Sequence, residues 1–309
     1  FWTWRTEEVL AMVEWMRAHN AAGGHIEFRG FDVQHPGLPM TIALAFVEAY
    51  APDLERDAAV AYAELRGIAK AGYGQRGSMA KVSDGLQAQL NTVFEELVAR
   101  RDDLAGGLSL EEVDWAIQCA RLAAQYGAMS TSRSNARDLG MAENADWLLE
   151  QAGPEGKVVL WAHNGHVSRK GWRGTKSMGS HLADWHGDDM VVFGFTFDVG
   201  TYTAWKQGEG VGTHGTGPTT EGSVEWAFRK TGMPRLVLDL REAVPGSGDS
   251  GWIFEPVDYR SIGAGAVEAA FTSVILVDHF DALIHFAQTR PSVLLDAEAP
   301  SPWVMWDQD

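Results

Sequence analysis

The sequence predicts an α/β protein: a largely parallel central sheet flanked by helices, with a helical lobe inserted into it. Three observations predict this. After residue 150 short apolar runs alternate with helical stretches, which implies parallel strands with helical crossovers. Residues 40–150 hold almost no strand signal and are rich in Ala, Leu, Glu and Arg at helical spacing. The run Lys157-Val-Val-Leu-Trp-Ala162 then ends abruptly in His163-Asn164-Gly165-His166. Ligands of open α/β sheets bind beyond the carboxyl ends of strands, so these histidines sit where chemistry is expected.

Taken in order, residues 3–19 read as an amphipathic helix. Thr6 is its candidate N-cap, and Val9, Met12, Val13 and Met16 recur at helical spacing. Gly23-Gly24 ends it, and residues 25–32 alternate apolar and polar as a strand would, with Asp32 and Gln34 at the far end. Helices follow near 39–50, 53–69, 79–101, 109–129 and 133–151, the fourth opened by the capping box Ser109-Leu-Glu-Glu112. Strands are expected at 157–162, 190–197, 235–240 and 273–278, and near 282–287. Ser223 caps a helix that stops at Gly232-Met-Pro234. Residues 206–221 are rich in glycine and threonine without a period, and read as a mobile loop able to cover a site. The domain boundaries that result are 1–38 for the start of the α/β core, 39–151 for the helical lobe and 152–309 for the rest of the core.

Composition narrows the function. The net charge is −17, from 42 acidic and 25 basic residues, which disfavours nucleic acid as a partner. No apolar run approaches the roughly 20 residues that span a bilayer, so no membrane partner is expected. One cysteine, Cys119, excludes a disulfide framework and points to a reducing cytoplasm; its helical apolar context reads as core, not nucleophile.

His163 and His166 carry the strongest chemical signal. They could transfer protons, share a metal ion, or simply bond at a strand end. On a helix, Arg137, Met141 and Asn144 share one face, where Arg137 could clamp a carboxylate; alternatively Arg137, Asp138 and Glu143 form a solvated charged face. No Gly-x-Ser-x-Gly elbow occurs; Ser177 reads as a loop residue before a helix that starts near His181.

These motifs together resemble the erythromycin esterase family. The resemblance rests on Trp4-x-Thr6-x-Glu8-Val9, Trp15-Met-Arg17-x-x-Asn20, Phe28-Arg-Gly-Phe-Asp32-Val-Gln34 and Arg137-Asp138-x-x-Met141-Ala-Glu143-Asn144. It continues in Leu160-Trp-Ala-His163-Asn-Gly-His166-Val, Ser177-Met-Gly-Ser-His181-Leu, Gly194-Phe195 and Phe280-Asp-Ala-Leu-Ile284. The resemblance implies hydrolysis of a macrolactone ester by histidine-activated water, with no serine acyl-enzyme, no required metal and no cofactor. It implies catalytic roles for His163, His166, Arg137 and Glu143, and substrate contacts from Asp32, Gln34 and Asn164 with a small macrolide-like molecule. The family's proposed base lies in a Gly-Glu-x-x-His-Gly motif ahead of the Trp-x-Thr-x-Glu element. That motif does not occur here, so roughly the first quarter of the expected protein is expected to lie outside this chain, and the chain to hydrolyse macrolides poorly or not at all. A metal- or haem-binding relative, or an enzyme of another ester or glycan, stands as the alternative.

Overall fold

A computed structural model describes residues 2–72, 81–131, 135–172, 174–246, 248–267 and 271–295. The chain divides into two compact units. One is Phe1–Gly30 with Val159–Asp309, and the other is Phe31–Val158.

The first unit opens with α1 (Glu7–Ala21), whose N-cap Thr6 accepts from the Val9 N–H as its spacing predicts. The start of this helix is strapped to the far end of the unit by a bridge between Thr6 and Leu294. Its apolar pattern does not produce a buried stripe: no side chain of α1 is fully buried, and Leu10, Val13 and Trp15 are exposed.

The second unit is a helical bundle: α2 (Gly37–Tyr50), α3 (Glu55–Gly72), α4 (Asp84–Ala99), the short α5 (Arg101–Leu104), α6 (Leu110–Thr131) and α7 (Ala136–Gln151). Its core is aliphatic and small, with Met40, Ala43, Val47, Leu65, Leu90, Leu97, Val113, Ala120 and Met141 buried around Tyr62. Cys119 is buried among them, and burial raises its thiol pKa to about 11, which keeps it an inert thiol at neutral pH. Ser109 and Glu112 form the reciprocal cap expected at the start of α6.

Returning to the first unit, the chain runs through α8 (Asn164–Val167), α9 (Met178–His186), β1 (Phe193–Lys206), β2 (Gly210–Thr216), α10 (Val224–Lys230), β3 (Arg235–Asp239), β4 (Val257–Arg260), β5 (Phe271–Val274), α11 (Leu276–His279) and β6 (Ala282–Thr289). Four strands form a sheet in the order β2-β1-β6-β3, and β4-β5 form a separate pair. The α/β class holds, and the expected parallel sheet is matched in part: among the described residues β1 and β6 run parallel, while β1-β2, β3-β6 and β4-β5 are antiparallel.

Two expected strands are absent. Residues 157–162 and 25–32 take no part in any sheet, and the apolar run is not buried: Val159 is 92% exposed and Trp161 51%. An apolar run is a strand only where a neighbouring strand takes its hydrogen bonds, and none does so here. Trp161 instead meets Trp4 edge-to-face at 4.9 Å. The loop expected over 206–221 is also corrected. Residues 210–216 of it form β2, which returns on β1 through a turn with Gly208 and Gly210 at φ +82° and +78°. Helix α9 begins three residues earlier than expected, because Ser177 is itself the N-cap, in a reciprocal pair with Ser180. The apolar run at 273–278 divides into the end of β5 and the start of α11.

The sheet is two-faced. Gly194, Thr196 and Asp198 of β1 and Leu283 and His285 of β6 are buried, on the face where α10 packs on both strands. Around them lie Val224, Phe228, Ile253, Tyr259, Val274 and Phe280. On the other face Phe193 and Phe195 of β1 and Val237 of β3 lie 47%, 53% and 64% exposed.

Candidate functional site

The histidine turn is built from its own backbone outward. His163 is the N-cap of α8, and its Nδ1 accepts the Gly165 N–H at 3.0 Å. Its Nε2 lies 2.9 Å from the Ile262 carbonyl, just beyond β4. A nitrogen that accepts an N–H carries no proton, so His163 is the Nε2–H tautomer and donates to Ile262. The turn is tight at Gly165: a Cβ there would lie 3.1 Å from His163 Nδ1 and would press on that ring, and the Trp172 indole donates to the Gly165 carbonyl.

His163 shows part of its surface to solvent, yet its ring is hemmed in by protein. This desolvation is the largest influence on its pKa and lowers it; the charge of nearby His166 lowers it further, and the bond to Ile262 raises it without prevailing. Geometry points the same way, because protonating Nδ1 would forfeit the Gly165 bond. His163 is therefore a neutral imidazole at neutral pH, with both nitrogens occupied and no lone pair for a metal. His166, half-buried at the end of α8, is the other ring of the pair.

Asn164 holds this turn to β1. Its Nδ2 donates to the Phe195 carbonyl at 2.6 Å and to the Tyr259 hydroxyl, and its Oδ1 accepts the Phe195 N–H at 3.0 Å. The carboxamide expected to contact substrate thus donates both Nδ2 protons to the protein and accepts one backbone N–H. Beyond the turn, Ser168 is fully buried against His279, whose pKa burial lowers to about 4, helped by the charge of Lys170. Arg169 pairs with Asp281, which also accepts the Val192 N–H just before β1. The helix after the turn comes very close: a Cβ on Gly179 would meet the Val167 carbonyl oxygen at 2.0 Å.

The remaining predicted residues belong to the helical unit. Arg137 on α7 forms a two-pronged pair with Asp32, Nε to Oδ1 at 3.0 Å and Nη2 to Oδ2 at 2.8 Å. Glu143 is not its partner: it accepts from Gln125 at 2.8 Å and lies 3.3 Å from Arg121. Asn144, on the same helix, donates to the Phe31 carbonyl and accepts from the buried Gln118. These contacts hold the Phe31-Asp32-Val33 segment on α7, with Gln34 half-buried after it. Arg137, Asp32 and Asn144 thus come together; His163, Asn164 and His166 form the other group, in the other unit.

Sequence reasoning missed a buried polar set behind β1. Asp198 accepts from Arg229 and from both the N–H and hydroxyl of Thr219. Glu225, wholly buried on α10, accepts from Thr196 and from the Arg260 N–H; burial raises its pKa despite these bonds. Its signal in the sequence was slight: an acid within Ser223-Val-Glu225-Trp, in the first turn of a capped helix. Among the described residues no group of three or more His, Cys, Asp or Glu could hold a metal ion, and no helix is long and apolar enough to cross a membrane.

A helical bundle and an α/β unit that displays a braced histidine turn define the class of architecture. The erythromycin esterase family model matches residues 1–289, and the chain belongs to that family. Among curated proteins it is similar to the Bacillus subtilis (strain 168) protein named "Putative hydrolase YbfO", 22% identical over 166 residues. That match takes in 52% of this chain and 36% of the relative, so the chain spans well under two thirds of that protein's length. Three solved structures share the fold. A Bacillus cereus protein superposes with a TM-score of 0.83 at 22% identity, over 96% of this chain and 75% of its own. A succinoglycan biosynthesis protein gives 0.77 at 22%, over 94% and 73%. A mutant of the erythromycin esterase EreC in its open conformation gives 0.64 at 14%, over 95% and 75%.

Proposed function

We propose that the chain serves hydrolysis of a carboxylic ester, with a macrolide-type lactone as the substrate class, through the turn that carries His163 and His166. The observation that carries this reading is that turn: two histidines three residues apart, one of them a neutral imidazole held at both nitrogens by Gly165 and Ile262, in a chain of the erythromycin esterase family. His163 acts as a hydrogen-bond donor to the ester carbonyl as negative charge develops, exchanging the Ile262 carbonyl for the substrate oxygen. His166 takes a proton from the attacking water and delivers it to the leaving alkoxide as the acyl carbon–oxygen bond breaks. The oxygen gained by the acid product comes from water. The occupied nitrogens of His163 count against a metal- or haem-binding reading.

The test incubates the chain with a fourteen-membered macrolide, a simple aryl ester and an acylated glycan, and follows the mass gain of one water. Lactone opening that falls at least about 100-fold in His166→Ala is expected, the usual scale for losing a general acid or base. Opening at the wild-type rate in both His163→Ala and His166→Ala would refute the assignment. Turnover of the glycan ester alone would move the substrate class but keep the site.

A further inference from the structure

We infer that Tyr259 is a positioning residue for the histidine turn, acting through Asn164 to hold His163 in a single tautomer and His166 in a single place. The importance of the turn for catalysis rests on the proposed ester-hydrolase reading; the positioning itself does not.

Tyr259 is fully buried on β4, its ring packed 5.9 Å from that of Phe280, and it ends in a hydroxyl with two bonds. That hydroxyl donates to the Phe195 carbonyl at 3.0 Å and accepts from Asn164 Nδ2. Asn164 gives its other Nδ2 proton to the same Phe195 carbonyl and accepts the Phe195 N–H. The result is a closed ring of bonds among one phenol, one carboxamide and one strand residue. The donors and acceptors balance: two Nδ2 protons and one phenolic proton are given, and Phe195 O uses two lone pairs.

The ring fixes Asn164 at the first position of α8, and so fixes the direction of the Gly165 N–H one residue on. That N–H is what selects the tautomer of His163. The chain segment that bears Tyr259 also supplies the other partner of His163, since the Ile262 carbonyl follows three residues later. One stretch, Tyr259 to Ile262, therefore braces the turn at two points: at Asn164 by a buried side chain and at His163 by backbone. Behind it, Glu225 accepts the N–H of the next residue, Arg260, and anchors β4 against α10. Asn164 is thereby assigned to the turn and not to the substrate.

The test reads the histidine ring nitrogens of the full chain by long-range nitrogen–proton NMR with 15N-labelled histidine. In the wild type His163 should give the pattern of a pure Nε2–H tautomer, with a titration midpoint below that of a free imidazole. In Tyr259→Phe the ring volume is kept and one hydroxyl is lost. His163 should then show averaging between tautomers and a midpoint moved upward, while Tyr50→Phe, at an exposed site, changes nothing. Asn164→Ser should cause the same spectral change, and combining it with Tyr259→Phe should add nothing further, because the two act in series. If Tyr259→Phe does not fold, the Asn164→Ser spectrum alone decides. An unchanged His163 tautomer in a folded variant overturns the inference, as does an additive effect of the two substitutions. Where ester turnover is measurable, Tyr259→Phe should lower kcat about tenfold or more with KM little changed, as expected of a displaced catalytic group. A chain without turnover but with the predicted spectra would leave the positioning role standing, since the tautomer is read without substrate.

Discussion

Replacing Asp198 by Asn removes one charge from the covered face of β1 and should weaken the fold in a way that pH reveals. Asp198 is 4% exposed and accepts four hydrogen bonds: two from Arg229, one of them at 2.6 Å, one from the Thr219 N–H at 3.0 Å and one from its hydroxyl at 2.6 Å. Burial, the largest single influence, raises its pKa, but Arg229 and Thr219 together outweigh burial and bring it from 3.8 to about 2. One pKa unit corresponds to about 1.4 kcal/mol, so the ionised folded form is favoured by roughly 2 kcal/mol. Because the folded value lies below the unfolded one, that stability is complete above the unfolded pKa and disappears as pH falls from about 4 to about 2. Breaking a buried pair costs about 3–5 kcal/mol; Arg229 can turn partly to water, which places Asp198→Asn near about 3 kcal/mol. Urea unfolding followed by near-ultraviolet circular dichroism, at pH 7 and at steps between pH 5 and 2, measures both effects. The wild type should lose about 2 kcal/mol more than the variant across the acid window. Asp239, whose pKa Arg241 also holds at about 2, is exposed and present in both proteins, so the difference isolates Asp198. A variant within about 0.5 kcal/mol of wild type at pH 7, or one with the wild-type acid slope, would show that the pair carries no net stability.

Two further substitutions separate support from chemistry. Gly179→Ala places a methyl group 2.0 Å from the Val167 carbonyl oxygen, so the turn must shift; ester turnover should drop by about tenfold or more while α9 stays folded by amide exchange. Unchanged turnover would mean that the turn tolerates displacement. Arg137→Ala removes the two-pronged pair with the partly exposed Asp32 and should cost about 1 kcal/mol in urea unfolding. A loss of turnover far beyond that cost would place Arg137 in the chemistry instead of the scaffold.

What could be read from the chain was what neighbours in sequence decide. Thr6, Ser109 and Ser223 announced their helices because a cap needs only the next three residues. Residues 40–150, rich in Ala, Leu, Glu and Arg, revealed a helical lobe because helical spacing is local too. Strands were harder, since a strand exists by virtue of a partner distant in sequence. The apolar 157–162 lacked one, whereas the glycine-rich 210–216 found one on β1 through backbone bonds that need no apolar side chain. Within the site, His163 and His166 stood out where an apolar run stopped. Tyr259 and Glu225 did not, because nothing near them in the sequence reports that β4 and α10 will bury them against Asn164 and Thr196.

The carboxamides of Asn20 and Asn164 have a consequence for how the protein behaves in company. Each engages both the N–H and the carbonyl of one extended residue, Ile26 in the first case and Phe195 in the second, as an adjoining strand would. A strand edge with free groups is a template on which other chains can build, and here it borders the bare phenyl rings of Phe193 and Phe195. Asn164 acts as a plug at that edge, denying a foreign strand the hydrogen bonds at Phe195 that would start a stack. The residue in the histidine turn therefore also covers the backbone groups of Phe195, and a change of side chain there alters both at once.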